Sequence, residues 1–156
     1  MMTFDPLESG FWIRVGAAVL SGGLIGLERQ VRGKPVGVRT AILICLGTSV
    51  FIELGVLSGN AQADPTRVLG QVVTGVGFLG AGVILARGGV VTGVTTAAVI
   101  WILAAIGACI GLGQHVAGFV FALLTVSLLT GVGLLESGFK RLRTGVYAQE
   151  DDRLDE

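Results

Sequence analysis

The chain has 156 residues, of which 52% are apolar and only 14% charged, and its 11 basic and 11 acidic side chains balance to a net charge of zero. A water-soluble domain needs more polar surface than this, so the composition excludes one and points to a bilayer. Zero net charge also leaves no electrostatic footprint for nucleic acid.

The predicted architecture is an all-α membrane protein with five transmembrane helices. About 20 apolar residues cross the hydrocarbon as a helix. Five segments reach that length, roughly Ser9 to Leu27, Val38 to Leu57, Val68 to Ala86, Gly93 to Gly113 and Val116 to Leu135. The alternation of an outer-membrane barrel is absent. Residues 1–136 form the membrane domain, in repeat halves of about 9–57 and 68–113 with an extra helix at 116–135. Residues 137–156 form a charged, disordered cytoplasmic tail.

Met1 to Gly10 carries Asp5 and Glu8 instead of a basic n-region, so the first helix is expected to stay uncleaved. Arg14 lies about 7 Å into that helix at 1.5 Å per residue, and Glu53 lies about as deep from the outer end of the second. An ionisable side chain at membrane depth needs a partner. Either Arg14 and Glu53 pair near the outer leaflet, or Arg14 snorkels and Glu53 faces water. Gly22 and Gly26, like Gly107 and Gly111, have the spacing that lets helix backbones approach, with packing inside the chain preferred over a dimer surface.

Glu28 and Arg29 close the first helix; Arg39 and Thr40 open the second. Gly33, Pro35 and Gly37 force a turn between them, which can bring Glu28 within reach of Arg39. That arrangement is either a structural ion pair or a cation or substrate site. In the second case Glu28 supplies charge, and the helix starts at Thr40 and at Thr95 and Thr96 supply hydroxyls and free N–H groups. Such starts favour an anion, which leaves Glu28 as the local argument for a cation.

Asp64 reads as an N-cap, with Pro65 at the first helical position and Arg67 following. Gly70, Gly75, Gly77, Gly80 and Gly82 crowd the third helix beside Gln71 and Thr74. They imply either close packing at the bundle centre, the preferred reading, or a broken helix lining a polar path. Gly88, Gly89 and Gly93 suggest a flexible loop. Trp101 reads as internal packing, His115 as a solvated loop residue, and the fifth helix as a lateral cover or oligomer contact. Cys45 and Cys109 fall inside helices and read as packing, not as a disulfide or metal pair.

Arg29, Arg32, Lys34 and Arg39, then Arg87, then Lys140, Arg141 and Arg143 all fall on one side. Arg14 and Arg67, with Asp5, Glu8 and Asp64, fall on the other. The positive-inside rule makes the first side cytoplasmic, with the N-terminus outside and the C-terminus inside. Residues Gly23 to Ala41 and Gly77 to Ala97 share G-x-x-G, then R-G, then G-V-x-T-A. They describe a duplicated helix-loop-helix unit, with both copies the same way round. Gly82 and Thr95 stand in the second copy where the first has Glu28 and Arg39, so one asymmetric site is expected.

The motifs Gly26-Leu27-Glu28-Arg29, Gly37-Val38-Arg39-Thr40 and Asp64-Pro65-Thr66-Arg67 are followed by Gly75-Val76-Gly77-Phe78-Leu79-Gly80-Ala81-Gly82. Arg87-Gly88 and Gly93-Val94-Thr95-Thr96-Ala97-Ala98 come next. In this order the chain resembles the MgtC/SapB family over roughly Gly22 to Gly113. The resemblance implies a bacterial inner-membrane protein linked to growth at low magnesium and, in pathogens, to survival inside host cells; for Asp64 it implies an outward-facing metal contact as the alternative to capping, although one carboxylate makes a weak Mg²⁺ site. Many members are longer, with a soluble cytoplasmic domain, so the chain is expected to be a short form to which that domain's activity does not transfer.

No enzyme motif is present, and no cofactor is expected beyond Mg²⁺ as a ligand or transported ion. Expected partners are the bilayer and either another membrane protein or a second copy. Two functions remain: a regulator of a membrane complex, preferred because a ring of carboxylates is missing, or a small cation transporter with Glu28, and with it Glu53, on the path.

Overall fold

The computed structural model describes residues 5–58, 65–87 and 90–138. Five helices follow in order: α1 Ser9–Val31, α2 Val38–Ser58, α3 Pro65–Gly82, α4 Val94–Gly111 and α5 His115–Gly138. Four of them, α1, α2, α4 and α5, are long and apolar enough to cross a membrane. Among the described residues α3 falls short of that measure, because Arg67, Gln71 and five glycines dilute its apolar content. Asp64 and the tail from residue 139 onward lie outside the described residues.

The third element also ends earlier than the segment Val68 to Ala86. After Gly82 the chain leaves the helix and forms a two-stranded antiparallel ribbon, β1 Leu85–Arg87 and β2 Val90–Thr92, with Leu85 opposite Thr92 and Ala86 opposite Val91. Val90, Val91 and Thr92 are β-branched and favour a strand, while Gly88 and Gly89 of the expected flexible loop lie outside the described residues. Gly93 then opens α4 with φ +88°. A Cβ there would collide with the Val83 carbonyl oxygen, so only glycine lets the ribbon fold back onto the end of α3.

Helices α2 and α4 form the centre, with α1 packed on α2 and α5, α5 on α1 and α4, and α3 mainly on α4. Glycines set the central distances. A Cβ at Gly22 would lie 2.8 Å from the Ala41 oxygen and one at Gly26 2.6 Å from Val38 Cα, so α1 rests directly on the α2 backbone. Gly107 and Gly111 press in the same way on the carbonyls of Cys45 and Ser49, which seats α4 on α2. Both glycine pairs therefore serve packing within the chain. Between these contacts Ala18, Ile25, Cys45, Leu103, Ile106 and Ile110 are fully buried. Both cysteines are free.

Close packing does not extend to the glycines of α3, although its Val68 presses on Gly55 of α2, where a Cβ would lie 2.7 Å from Val68 Cγ2. A Cβ at Gly70, Gly75, Gly77 or Gly82 would meet nothing within 4 Å, and only Gly80 touches a neighbour, the Cβ of Ala97 at 3.7 Å. The glycine-rich helix is therefore peripheral, not the bundle centre. The face built on Val72, Val76 and Gly80 fits an apolar cluster with Ile100 and Ala104 of α4. Trp101 is likewise corrected: it is 54% exposed and sits on the outer surface of α4.

Candidate functional site

Along α1 the polar residues Arg14, Ser21 and Glu28 recur every seven positions, which puts them on one face of the helix. All three side chains are turned inward: Arg14 and Ser21 are buried, and the Glu28 side chain keeps only 7% of its exposure. The face begins and ends in charge and crosses an apolar core between, so two polar sites form, one at each end.

At the first end Arg14 Nη2 lies 2.5 Å from Glu53 Oε1, with side chains 10% and 5% exposed. Of the two arrangements open for these residues, the structure adopts the pair. A buried pair removes the cost of two separately desolvated charges. His115 is the residue whose placement differs most from expectation. It is the first residue of α5, half-buried, and close enough to Arg14 and Glu53 to feel both charges. Its Nδ1 is buried without a hydrogen-bond partner among the described residues. Sequence position beside Gly113 and Gln114 suggested a solvated turn; only the return of α5 against α1 brings the ring to this site. Arg67, assigned to the same side, is exposed.

The second site is built on the turn between α1 and α2. Gly33 takes φ +64° and Val36 takes φ +65°. A β-branched residue with positive φ is strained, and Val36 is held there because its side chain packs against both apolar clusters. The Lys34 N–H donates to the Arg29 carbonyl at 2.9 Å, and the Val38 N–H donates to Gln30 Oε1 at 3.3 Å, so the turn is tied at its entry and exit.

Arg29 lies beneath this turn, 5% exposed. Its Nε donates to the Pro35 carbonyl at 3.4 Å and its Nη2 to Thr96 Oγ1 at 3.2 Å. One guanidinium thus joins the end of α1, the turn and the first turn of α4. Glu28 does not reach Arg39, as the expectation had it. It pairs with Arg32 one turn away, Oε1 to Nε at 2.8 Å, while Arg32 Nη1 donates to the Leu129 carbonyl of α5 at 3.3 Å. The physical reason is spacing: residues four apart on a helix are already neighbours, whereas Arg39 is exposed on α2. Of the six residues expected to cluster here, the structure brings Arg29 and Thr96 together and sets Glu28 beside them. Arg39, Thr40 and Thr95 are exposed.

As chemistry, this second site carries more cationic than anionic charge. Glu28 Oε2 is buried without a hydrogen-bond partner among the described residues, but the nearest charged group is the Arg32 cation. Among the described residues no three His, Cys, Asp or Glu side chains gather as a metal site would require. Among the described residues Glu28 is thus not part of such a cluster, and Asp64, the other residue considered for a metal, lies outside the described residues.

Comparison with known proteins agrees with the motifs around this turn. YhiD of Escherichia coli K12, which bears the name "Putative magnesium transporter YhiD", is 45% identical over 130 residues, covering 79% of this chain and 60% of that protein. MgtC of Brucella abortus strain 2308 is 38% identical over 148 residues, 94% of this chain and 61% of its own length. SrpB of Synechococcus elongatus is 38% identical over 157 residues, 88% of this chain and 81% of its own length. The chain thus spans about 60% of the first curated relatives it matches. No solved structure matches it significantly. The MgtC family model matches residues 15–137, which takes in α1 from Val15 onward with its Glu28-Arg29 end, the strained turn and Thr96, and the chain therefore belongs to the MgtC family.

Proposed function

We propose that the protein is a bacterial inner-membrane component of magnesium homeostasis that acts as a regulator of a partner membrane complex. In this reading it crosses the membrane five times with its basic turn in the cytoplasm, α3 included. The magnesium link rests on the family and on the name that YhiD carries. Matching contacts support a duplicated unit: Gly26 faces Ala41 as Gly80 faces Ala97, and the Ala41 and Ala97 N–H groups bond to the Gly37 and Gly93 carbonyls at 3.0 and 2.9 Å.

The observation that carries regulation over transport is the seal between the two polar sites. Arg14 and Glu28 stand 14 residues apart, about 21 Å at 1.5 Å per residue. Ala18, Ile25, Cys45, Leu103 and Ile106, all fully buried, fill the interior between them, with Ser21 buried among them. A hydrated ion crossing here would lose water to an apolar plug. A second reading, transport with Glu28 on the path, is favoured by one feature: the buried Oε2 with no hydrogen bond among the described residues.

Mg²⁺ flux into proteoliposomes holding the purified chain and a trapped indicator separates the two. With and without an imposed potential, the expected result is flux no greater than in empty liposomes. Flux above that level that disappears in Glu28→Gln would establish transport and overturn the regulatory reading.

A further inference from the structure

One seam of α3 has no cover. Gln71, Gly75, Phe78 and Gly82 recur at i, i+4, i+7 and i+11, a spacing that lines one helix face. All four are exposed, Phe78 to 80%, and a Cβ at Gly75 or Gly82 would meet nothing. Gln71 and Gly75 also border a groove of about 600 Å³ between α2 and α3. Its α2 wall includes Gly47, where a Cβ would again meet open space.

Taking α3 as a crossing helix, on which this inference rests, Gln71 stands six residues past Pro65, about 9 Å along the axis and inside the hydrocarbon. A carboxamide there needs both an acceptor and a donor, and lipid tails offer neither. The cover must therefore be polar at the depth of Gln71 and allow a close backbone at Gly75. We propose that it is a second copy of this chain, the two α3 helices lying side by side across a two-fold axis normal to the membrane. Such an axis keeps every residue at its own depth, so Gln71 meets its own copy. A carboxamide is donor and acceptor at once and is complementary to itself. Gly75 and Gly82 let the helix backbones approach, and Phe78 turns into the partner's groove, where Gly47 leaves space. The contact is isologous and closes as a dimer.

Single cysteines test this in membranes of cells making the full chain. Under mild oxidation Gly75→Cys and Gln71→Cys are expected to form covalent dimers, whereas Gly70→Cys and Gly77→Cys, on the other side of α3, are not. Gly75→Leu is expected to lower the dimer fraction of purified protein at least tenfold while leaving its helical content unchanged. Equal cross-linking at all four positions, cross-linking of Gly75→Cys only to a different protein, or a Gly75→Leu protein that remains dimeric would overturn the proposal. A water-soluble thiol reagent separates the underlying reading: labelling of Gln71→Cys from water would show that α3 does not cross, whereas protection without cross-linking would leave the crossing standing and refute the dimer.

Discussion

Arg14 on α1 and Glu53 on α2 form a buried ion pair near the end of the bundle where α5 begins, beside His115. Removing one member of a buried pair leaves the other desolvated, at a cost of about 3–5 kcal/mol. Glu53→Gln and Arg14→Gln are each expected to lower the melting temperature in detergent clearly. Glu53→Arg with Arg14→Glu is expected to recover most of what either reversal loses. A double reversal no more stable than the singles would show that the pair does not hold α1 to α2.

Arg29 ties the α1–α2 turn to α4 through Thr96. Thr96→Val removes a hydrogen bond from a charged donor, a loss of about 1.5–3 kcal/mol. Arg29→Lys is expected to destabilise by a similar amount, because a point charge cannot reach Pro35 and Thr96 together. Hydrogen exchange measured by mass spectrometry should show faster opening of residues 32–37 and of the first turn of α4 in both variants. Unchanged exchange in Thr96→Val would refute the tie.

The glycines divide into two groups with opposite expected responses. Gly107→Ala forces a methyl against the Cys45 carbonyl and must separate α4 from α2, so a loss of about 1–3 kcal/mol is expected. Gly70→Ala and Gly77→Ala in α3 meet open space, and helix propensity predicts a gain of up to about 1 kcal/mol each. Thermal unfolding of the three variants decides this; destabilisation by Gly77→Ala would mean that this face of α3 is covered.

Ser21 is fully buried, and its hydroxyl has no hydrogen-bond partner among the described residues. Ser21→Ala removes a buried polar atom that gains nothing from burial, and it is expected to be neutral or stabilising. A loss of more than about 1 kcal/mol in chemical unfolding would reveal a bond formed by the hydroxyl.

Much of the fold is legible in the sequence because it depends on local composition. Apolar length marks five helical segments, four of which form helices long and apolar enough to cross a membrane, Gly33 and Pro35 mark the turn, and Gly22, Gly26, Gly107 and Gly111 mark the close contacts. The motifs around Glu28, Arg39 and Thr96 were sufficient to identify the family. For Arg14 and Glu53 depth raised the pair as one of two arrangements, and the structure decided for it.

Tertiary structure alone decided which way each helix face turns. The glycines of α3 imply either a crowded centre or a broken helix lining a polar path, yet they lie at an open edge, because α4 offers its own small residues to α2 instead. The partner of Glu28 was settled by Arg32 being already adjacent on its own helix, with α5 supplying the Leu129 carbonyl that holds Arg32 in place. His115 and Trp101 exchanged roles for the same reason. Hydropathy along a chain records how apolar a segment is, whereas burial depends on which neighbours arrive from residues distant in sequence.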